Sequence, residues 1–243
     1  MKLKYIMASL LIGGCAFISS CKDDFTEINT NPTVVSKPDP RYLFTEALAK
    51  FDGHDYFAWY YDYNNMLRWS QTVASTGGNE NLMTTMSNSG KMGSQVYSVM
   101  NQVNELVHVV NTTLEGEEQA KYTYLKALCN PLMIYLAMWD TDMYGSMAYT
   151  EAYQARYGGT LTPKYDTQAE LFDLWEQQLK EAVETLANDV VLGGNKVTQQ
   201  SLGSQDIIYQ GDYAKWLKFA NSLRLKLAVR LINEDKARAL NIV

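Results

Sequence analysis

The chain has 243 residues, 47% of them hydrophobic, a formal charge of -6 and a sequence pI of ≈ 5.0. An acidic balance of that size disfavours nucleic acid as a partner and offers anionic lipid no basic patch. The length allows one good-sized core or two small ones.

The chain opens with Lys2 and Lys4, followed by a mostly apolar run from Ile6 to Ile18. A basic start, a short apolar core and small residues before a cut describe a secretory signal peptide over residues 1–20. The apolar core is shorter than the roughly 20 residues a spanning helix needs. Ile18, Ser19, Ser20 and Cys21 resemble a bacterial lipobox, in which the cysteine receives lipid and becomes the new N-terminus. Cys21 is therefore the expected lipid attachment site. Each buried methylene of an acyl chain contributes about 0.8 kcal/mol, so two or more chains anchor permanently where one does not. Removing residues 1–20 takes away two lysines and no acids, which moves the formal charge from -6 to -8. Cys15 leaves with the signal and Cys21 is acylated, so Cys129 alone remains free. It lies in an apolar stretch and reads as a buried, inert thiol.

Residues 21–40 read as a tether: charged at Lys22, Asp23 and Asp24, turn-prone around Asn29–Pro32, and interrupted by Pro32, Pro38 and Pro40. Asp39 then caps a helix whose first position is Pro40, with Phe44, Ala47, Leu48 and Phe51 at helical spacing. Residues 56–69 hold seven of the chain's 29 aromatics: Tyr56, Phe57, Trp59, Tyr60, Tyr61, Tyr63 and Trp69. They do not fit one helical stripe. A surplus of polar-tipped rings can stack on sugars or line an interface, and a helix between two neighbours explains it equally well. Trp59, Tyr60, Tyr61 and Trp69 are the candidate ligand-binding residues.

After a polar loop at 84–94, a stripe of Val96, Val99, Met100, Val103, Val107 and Val110 predicts a helix of about five turns. Glu115 to Glu118 reads as an acidic turn. The next helix carries Leu125, Leu128, Leu132, Tyr135, Leu136 and Trp139, with Pro131 inside it as a kink. A long polar loop follows from Asp140 to Asp166. Thr167 and Glu170 form a capping box for a helix that buries Leu171, Trp175, Leu179, Ala182 and Leu186. Gly193 and Gly194 end that unit. Asp212 caps the last clear helix, where Trp216, Ala220, Leu223, Leu227 and Leu231 fall within a sector of about 80°. Leu217, Leu225 and Val229 widen its apolar surface and predict burial on two sides. No run of alternating strands is visible, so the fold class is mainly α, with paired helices and long loops.

The segment from Asp206 to Arg230 (DIIYQGDYAKWLKFANSLRLKLAVR) strongly resembles the SusD/RagB family of surface lipoproteins. Phe25 to Pro32, Asp142 to Ala152 and Thr162 to Gln168 match further family motifs in the right order. The resemblance implies tetratricopeptide-like helix pairs in a bundle, with irregular loops that bind the ligand. It also implies an outer-membrane, lipid-anchored protein of a Gram-negative bacterium, facing the cell exterior. Family members capture oligosaccharides, or sometimes peptides, and deliver them to a SusC-type TonB-dependent transporter. Residues 41–243 would form the N-terminal part of the family fold, since members continue about as far again. Ser146, Met147 and Ala148 depart from the family's usual residues, so a looser turn is expected after Gly145.

Tyr209, Asp212, Lys215 and Trp216 read as the organisers of a loop-to-helix junction: a cap, a buried ring and an ion pair. Asn221 and Arg224 are expected to satisfy loop backbone groups. An enzyme is disfavoured: His54 and His108 fall on different elements, and no serine or cysteine stands in a nucleophile motif. Asp140, Asp142 and Glu151 could pair as acid and base or hold calcium, but carboxylates at a helix end are more often a cap or a solvated rim. No catalytic residue, metal or cofactor is assigned. The competing functional classes are a glycan-active enzyme and a ligand-free scaffold subunit of the transporter complex.

Overall fold

The computed structural model describes residues 38–51, 67–74 and 93–242. The chain divides into two units, Met1–Pro38 and Asp39–Val243, and every element below belongs to the second.

Helix α1 (Pro40–Phe51) starts as the sequence predicts. The Asp39 carboxylate accepts the Arg41 backbone N–H at 2.9 Å and pairs with its guanidinium. Those bonds hold the Asp39 carboxyl below the usual carboxylate range. Phe44, Ala47 and Leu48 bury the inner face of α1 against α3 (Gly93–Thr113). The short turn α2 (Leu67–Trp69) lies between them in sequence. On α3 the buried positions Val96, Val99, Val103, Leu106 and Val110 advance by three and four residues, with Met100 four on from Val96, the spacing of a single helical face. The acidic stretch at 115–118 does not remain a turn. It forms most of a one-turn helix, α4 (Gly116–Ala120), with Glu117 and Glu118 at its N-terminal end, where the helix dipole favours them.

Helix α5 (Thr123–Tyr144) buries side chains on several sides along most of its length, among them Leu125, Leu128, Leu132, Met133, Ile134, Leu136 and Met138. That is the signature of a central helix, and α1, α3, α6 and α7 all pack on it. It passes through Pro131 and runs to Tyr144 instead of giving way to loop at Asp140. Gly145, at φ 79°, ends it in a conformation that costs glycine little. Trp139, on the same helix, is 42% exposed, with the Lys226 ammonium over its ring.

Helix α6 (Gln168–Ala187) opens on the full capping box: Thr167 Oγ1 accepts the Glu170 N–H, and Glu170 accepts the Thr167 N–H at 2.8 Å. A hairpin of two short exposed strands follows, β1 (Val191–Leu192) and β2 (Asn195–Lys196), with Val191 opposite Lys196. Gly193 and Gly194 turn it at φ 57° and 84°, as a two-residue hairpin loop requires. Helix α7 (Tyr213–Leu231) packs on α6, and α8 (Lys236–Ile242) packs on α7. Successive helices therefore stack as pairs around a main core, in which Trp175 and Trp216 are the largest fully buried side chains, while Ala239 and Ile242 of α8 form a small separate cluster with Ala228.

The two-sided burial expected for α7 does not hold. Trp216, Ala220, Leu223 and Leu227 are buried, but Leu225 and Val229 are 52% and 59% exposed. The α7 contacts with α5, α6 and α8, and the Phe44 ring of α1 set edge-on to Trp216, leave these two side chains exposed.

Candidate functional site

The α5–α6 connection (145–167) and the hairpin–α7 connection (197–212) are long, yet each is closed around one buried aspartate. In the first, Met147 and Asp166 exchange backbone hydrogen bonds at 3.1 and 2.8 Å. The Asp166 carboxylate accepts the N–H groups of Tyr149 and Thr150 and the Thr150 hydroxyl, and pairs with Lys164 at 3.2 Å. Burial alone would raise its pKa. The Thr150 bonds and Lys164 outweigh that and hold it below the usual range. The turn after Gly145 is therefore tied down, not loosened. Further along, a 3-10 turn at Ala155–Tyr157 clamps the loop to α3. The Tyr157 ring stacks on His108 at 4.0 Å, its hydroxyl donates to Glu105, and Arg156 pairs with Glu105 at 3.2 Å. Burial first, and the Glu105 carboxylate second, push the Tyr157 phenol up to about 12.

In the second connection Asp206 is fully buried. Its carboxylate accepts the N–H groups of Ile208, Tyr209 and Gly211 at 3.0, 3.0 and 2.9 Å, and the Trp216 indole N–H at 2.7 Å. Tyr209 packs edge-on against the Trp216 ring at 4.9 Å. Gly211 has φ 81°, and a Cβ there would lie 2.8 Å from the Gly203 backbone nitrogen, so no larger residue fits. Asp212 caps α7 through the N–H groups of Ala214 and Lys215. Lys215 reaches Asp212 only at 3.9 Å on the surface, a pair of little weight. Arg224 donates to the Ile242 carbonyl at the end of α8, not to a loop, and Asn221 is exposed with only a long contact to Arg224. The motif stretch thus builds a junction, with Asp206 at its centre. A signal for Asp206 existed in the sequence: an aspartate followed by free N–H groups two and three residues on is a turn former.

The carboxylates considered for acid–base or calcium chemistry go separate ways. Asp140 is buried, which raises its pKa to about 6. Asp142 is held by Arg230 through both oxygens, and Glu151 accepts the Lys164 N–H. Among the described residues no cluster of three His, Cys, Asp or Glu side chains could hold a metal ion. Cys129 is buried, with its thiol pushed up to about 12 by desolvation.

Cys21, Trp59, Tyr60 and Tyr61 lie outside the described residues. The Trp69 backbone belongs to α2, and its side chain is outside them too. A cavity of ≈ 300 Å³ opens where the first loop crosses α3, α5 and α6, between Met100, Asn104, Asn130, Met133, Leu174 and Gln178. Tyr149 and Gln154 close it from the loop side. The sequence offered no sign of this hollow, because its walls come from four separate segments.

Stacked helix pairs with long, internally tied loops define a tetratricopeptide-like helical fold. Comparison of the sequence with family models then places it: the chain belongs to the SusD-like family, described as starch-binding and associating with the outer membrane, with residues 32–243 matched. No curated protein matches it in sequence. Among solved structures it is similar to a SusD homolog from Parabacteroides distasonis, with 21% identity and a TM-score of 0.63 over 84% of this chain and 37% of that one. A SusD/RagB family protein from Bacteroides thetaiotaomicron gives 20% identity and a TM-score of 0.56 over 84% and 41%. A chitin-binding SusD homolog from Flavobacterium johnsoniae gives 24% and 0.50 over 63% and 29%. These likenesses speak to the fold, and the chain spans about two fifths or less of each relative's length. No helix among the described residues is long and apolar enough to cross a membrane.

Proposed function

We propose that this chain is a non-enzymatic, lipid-anchored surface protein that captures oligosaccharides, or peptides, for a SusC-type TonB-dependent transporter in the outer membrane. The family match over residues 32–243, to proteins described as starch-binding and associating with the outer membrane, carries the reading. Three further features support it. The lipobox-like run ending at Cys21 supplies an anchor that needs no spanning helix. The aromatic surplus at 56–69 supplies rings for stacking on sugars, with Trp59, Tyr60, Tyr61 and Trp69 as the proposed contacts. Of the carboxylates considered for catalysis, Asp142 is held by Arg230 and Glu151 by the Lys164 N–H.

Affinity electrophoresis tests the reading. Migration through native gels cast with starch or with soluble chitin oligosaccharides should be retarded relative to an inert protein of similar charge. Equal migration in all glycans, together with no binding of peptides, would remove it. The exposed Leu225 and Val229 favour a second reading, a scaffold subunit that uses this apolar strip to dock on a protein and binds no ligand itself.

A further inference from the structure

The chain's acidic total conceals one basic helix. Helix α7 carries Lys215, Lys218, Arg224, Lys226 and Arg230 and no carboxylate over its 19 residues. From Asp212 to Val243 seven basic residues stand against three acidic ones, a formal +4 in a chain whose total is -6. Two of the five α7 charges are consumed inside the fold: Arg224 donates to the Ile242 carbonyl, and Arg230 is neutralised by Asp142. Lys215 stands 3.9 Å from Asp212. Lys218 is exposed, and no ion pair holds it among the described residues. Lys226 lies over the rings of Tyr135 and Trp139, at 5.4 and 5.6 Å from their centroids.

The outward face of α7 joins that charge to apolar surface. Lys218, Ser222, Leu225, Val229 and Ile232 are all exposed and advance by four, three, four and three residues, so they form one stripe. A lysine stands at its N-terminal end, and aliphatic side chains fill its C-terminal half. The half-exposed Trp139 borders the helix through Lys226. Aliphatic residues beside lysines, with a tryptophan at the edge, are the composition of a helix that lies in a membrane interface. The apolar side chains enter the acyl boundary, the lysines meet headgroup phosphates, and the indole settles at headgroup level.

A second copy is a poor occupant, because α7 itself offers a partner's Lys218 and Lys226 no carboxylate. A membrane is within reach on the lipid-anchor reading. Cys21 lies 18 residues before Asp39, where the folded unit begins, and that length spans at most about 60 Å. The body is thus confined to the vicinity of the leaflet, and a face of modest affinity suffices there.

We propose that the Lys218–Ile232 stripe of α7 is a membrane-contact face, which lays the protein on an anionic bilayer surface instead of leaving it free at the end of its tether. The proximity of the bilayer rests on the lipid-anchor reading; the face and its demand for anionic lipid rest on α7 alone.

The chain lacking residues 1–20, which keeps the Asp39–Val243 unit whole, is coupled through Cys21 to a maleimide lipid. The vesicles are phosphatidylcholine, alone or mixed with phosphatidylglycerol, and the buried Cys129 does not compete for the lipid. Acetylation rates of single lysines are read by mass spectrometry, with the uncoupled chain in solution as the reference. Lys218 should react about tenfold more slowly on the anionic vesicles, while Lys180 of α6, also exposed, keeps its rate. Salt at about 0.5 M should restore the Lys218 rate by screening the headgroups. The double variant Leu225→Ser, Val229→Ser should lose the protection at an unchanged thermal midpoint, since both side chains are already exposed. Equal Lys218 rates on vesicles and in solution would overturn the proposal and leave the stripe to a protein partner. Equal protection on phosphatidylcholine alone, or protection that survives the double variant, would overturn it too. So would protection in solution that rises with protein concentration, the mark of a second copy. The maleimide lipid supplies the anchor, so the lipoprotein reading stands or falls separately, on palmitate labelling.

Discussion

Replacing Asp206 by alanine should destabilise the protein far more than replacing Asp212, although Asp212 is the more obvious residue in the sequence. Asp206 accepts four hydrogen bonds, three from the loop backbone and one from the Trp216 indole, at 2.7 to 3.0 Å. The indole nitrogen belongs to a side chain that is 1% exposed, so water cannot replace the lost acceptor there. The three loop N–H groups are partly buried and recover some hydration. A stranded buried donor costs about 1–3 kcal/mol, which puts Asp206→Ala near 4 kcal/mol in total. Asp212 is exposed and caps the helix with two bonds, so its loss costs about 1 kcal/mol. Urea denaturation followed by Trp emission measures both, and an unchanged slope would show that the same transition is being compared. A loss below about 1 kcal/mol for Asp206→Ala, or one no larger than for Asp212→Ala, would refute the view that this carboxylate closes the second loop.

Asp140 makes a prediction with a definite sign. Burial raises its carboxyl to about 6 in the folded chain from the ordinary 3.8, so folding favours the protonated form. Its contribution is fully present below pH 4 and is lost as pH rises through 6. Asp140→Asn should therefore stabilise the protein by roughly 3 kcal/mol at pH 8 and leave it nearly unchanged at pH 3.5, measured by denaturation across pH. Equal effects at both pH values would contradict it. Cys129, with its thiol near 12, should resist a thiol reagent at pH 8 in the folded state and react only as fast as the protein unfolds. The assay uses a Cys21→Ser chain lacking residues 1–20, so that Cys129 is the one thiol present. Cys21→Ala should abolish incorporation of labelled palmitate and shift the protein out of the membrane fraction; retained label would place the anchor elsewhere.

Local rules were legible in the sequence, and tertiary ones were not. The faces of α1, α3, α6 and α7 followed from spacing, and the starts of α1, α6 and α7 from Asp39, Thr167 and Asp212, because a cap acts within four residues. The end of α5 was misread at Asp140. Polar residues there looked like loop, whereas Thr141 and Asp140 are buried by the segments packed over them. The hairpin at Gly193 and Gly194 had its turn signal, but strands of two residues leave no alternation to see. Leu225 and Val229 show the opposite limit: an apolar residue on a helix declares a preference for burial and cannot tell whether a neighbour is present. Asp166 and Asp206 gain their importance from donors up to 17 residues away, and the cavity from four separate segments. Composition alone indicates none of these.

Calorimetric titration of the purified chain with maltooligosaccharides, chitooligosaccharides and a set of short peptides tests the central claim most directly. A saturable one-to-one isotherm with one of these classes, and no chemical change in the ligand recovered afterwards, is the predicted result. Heat of dilution alone across all three classes, or ligand recovered in cleaved form, would contradict a protein that captures nutrients and hands them on intact.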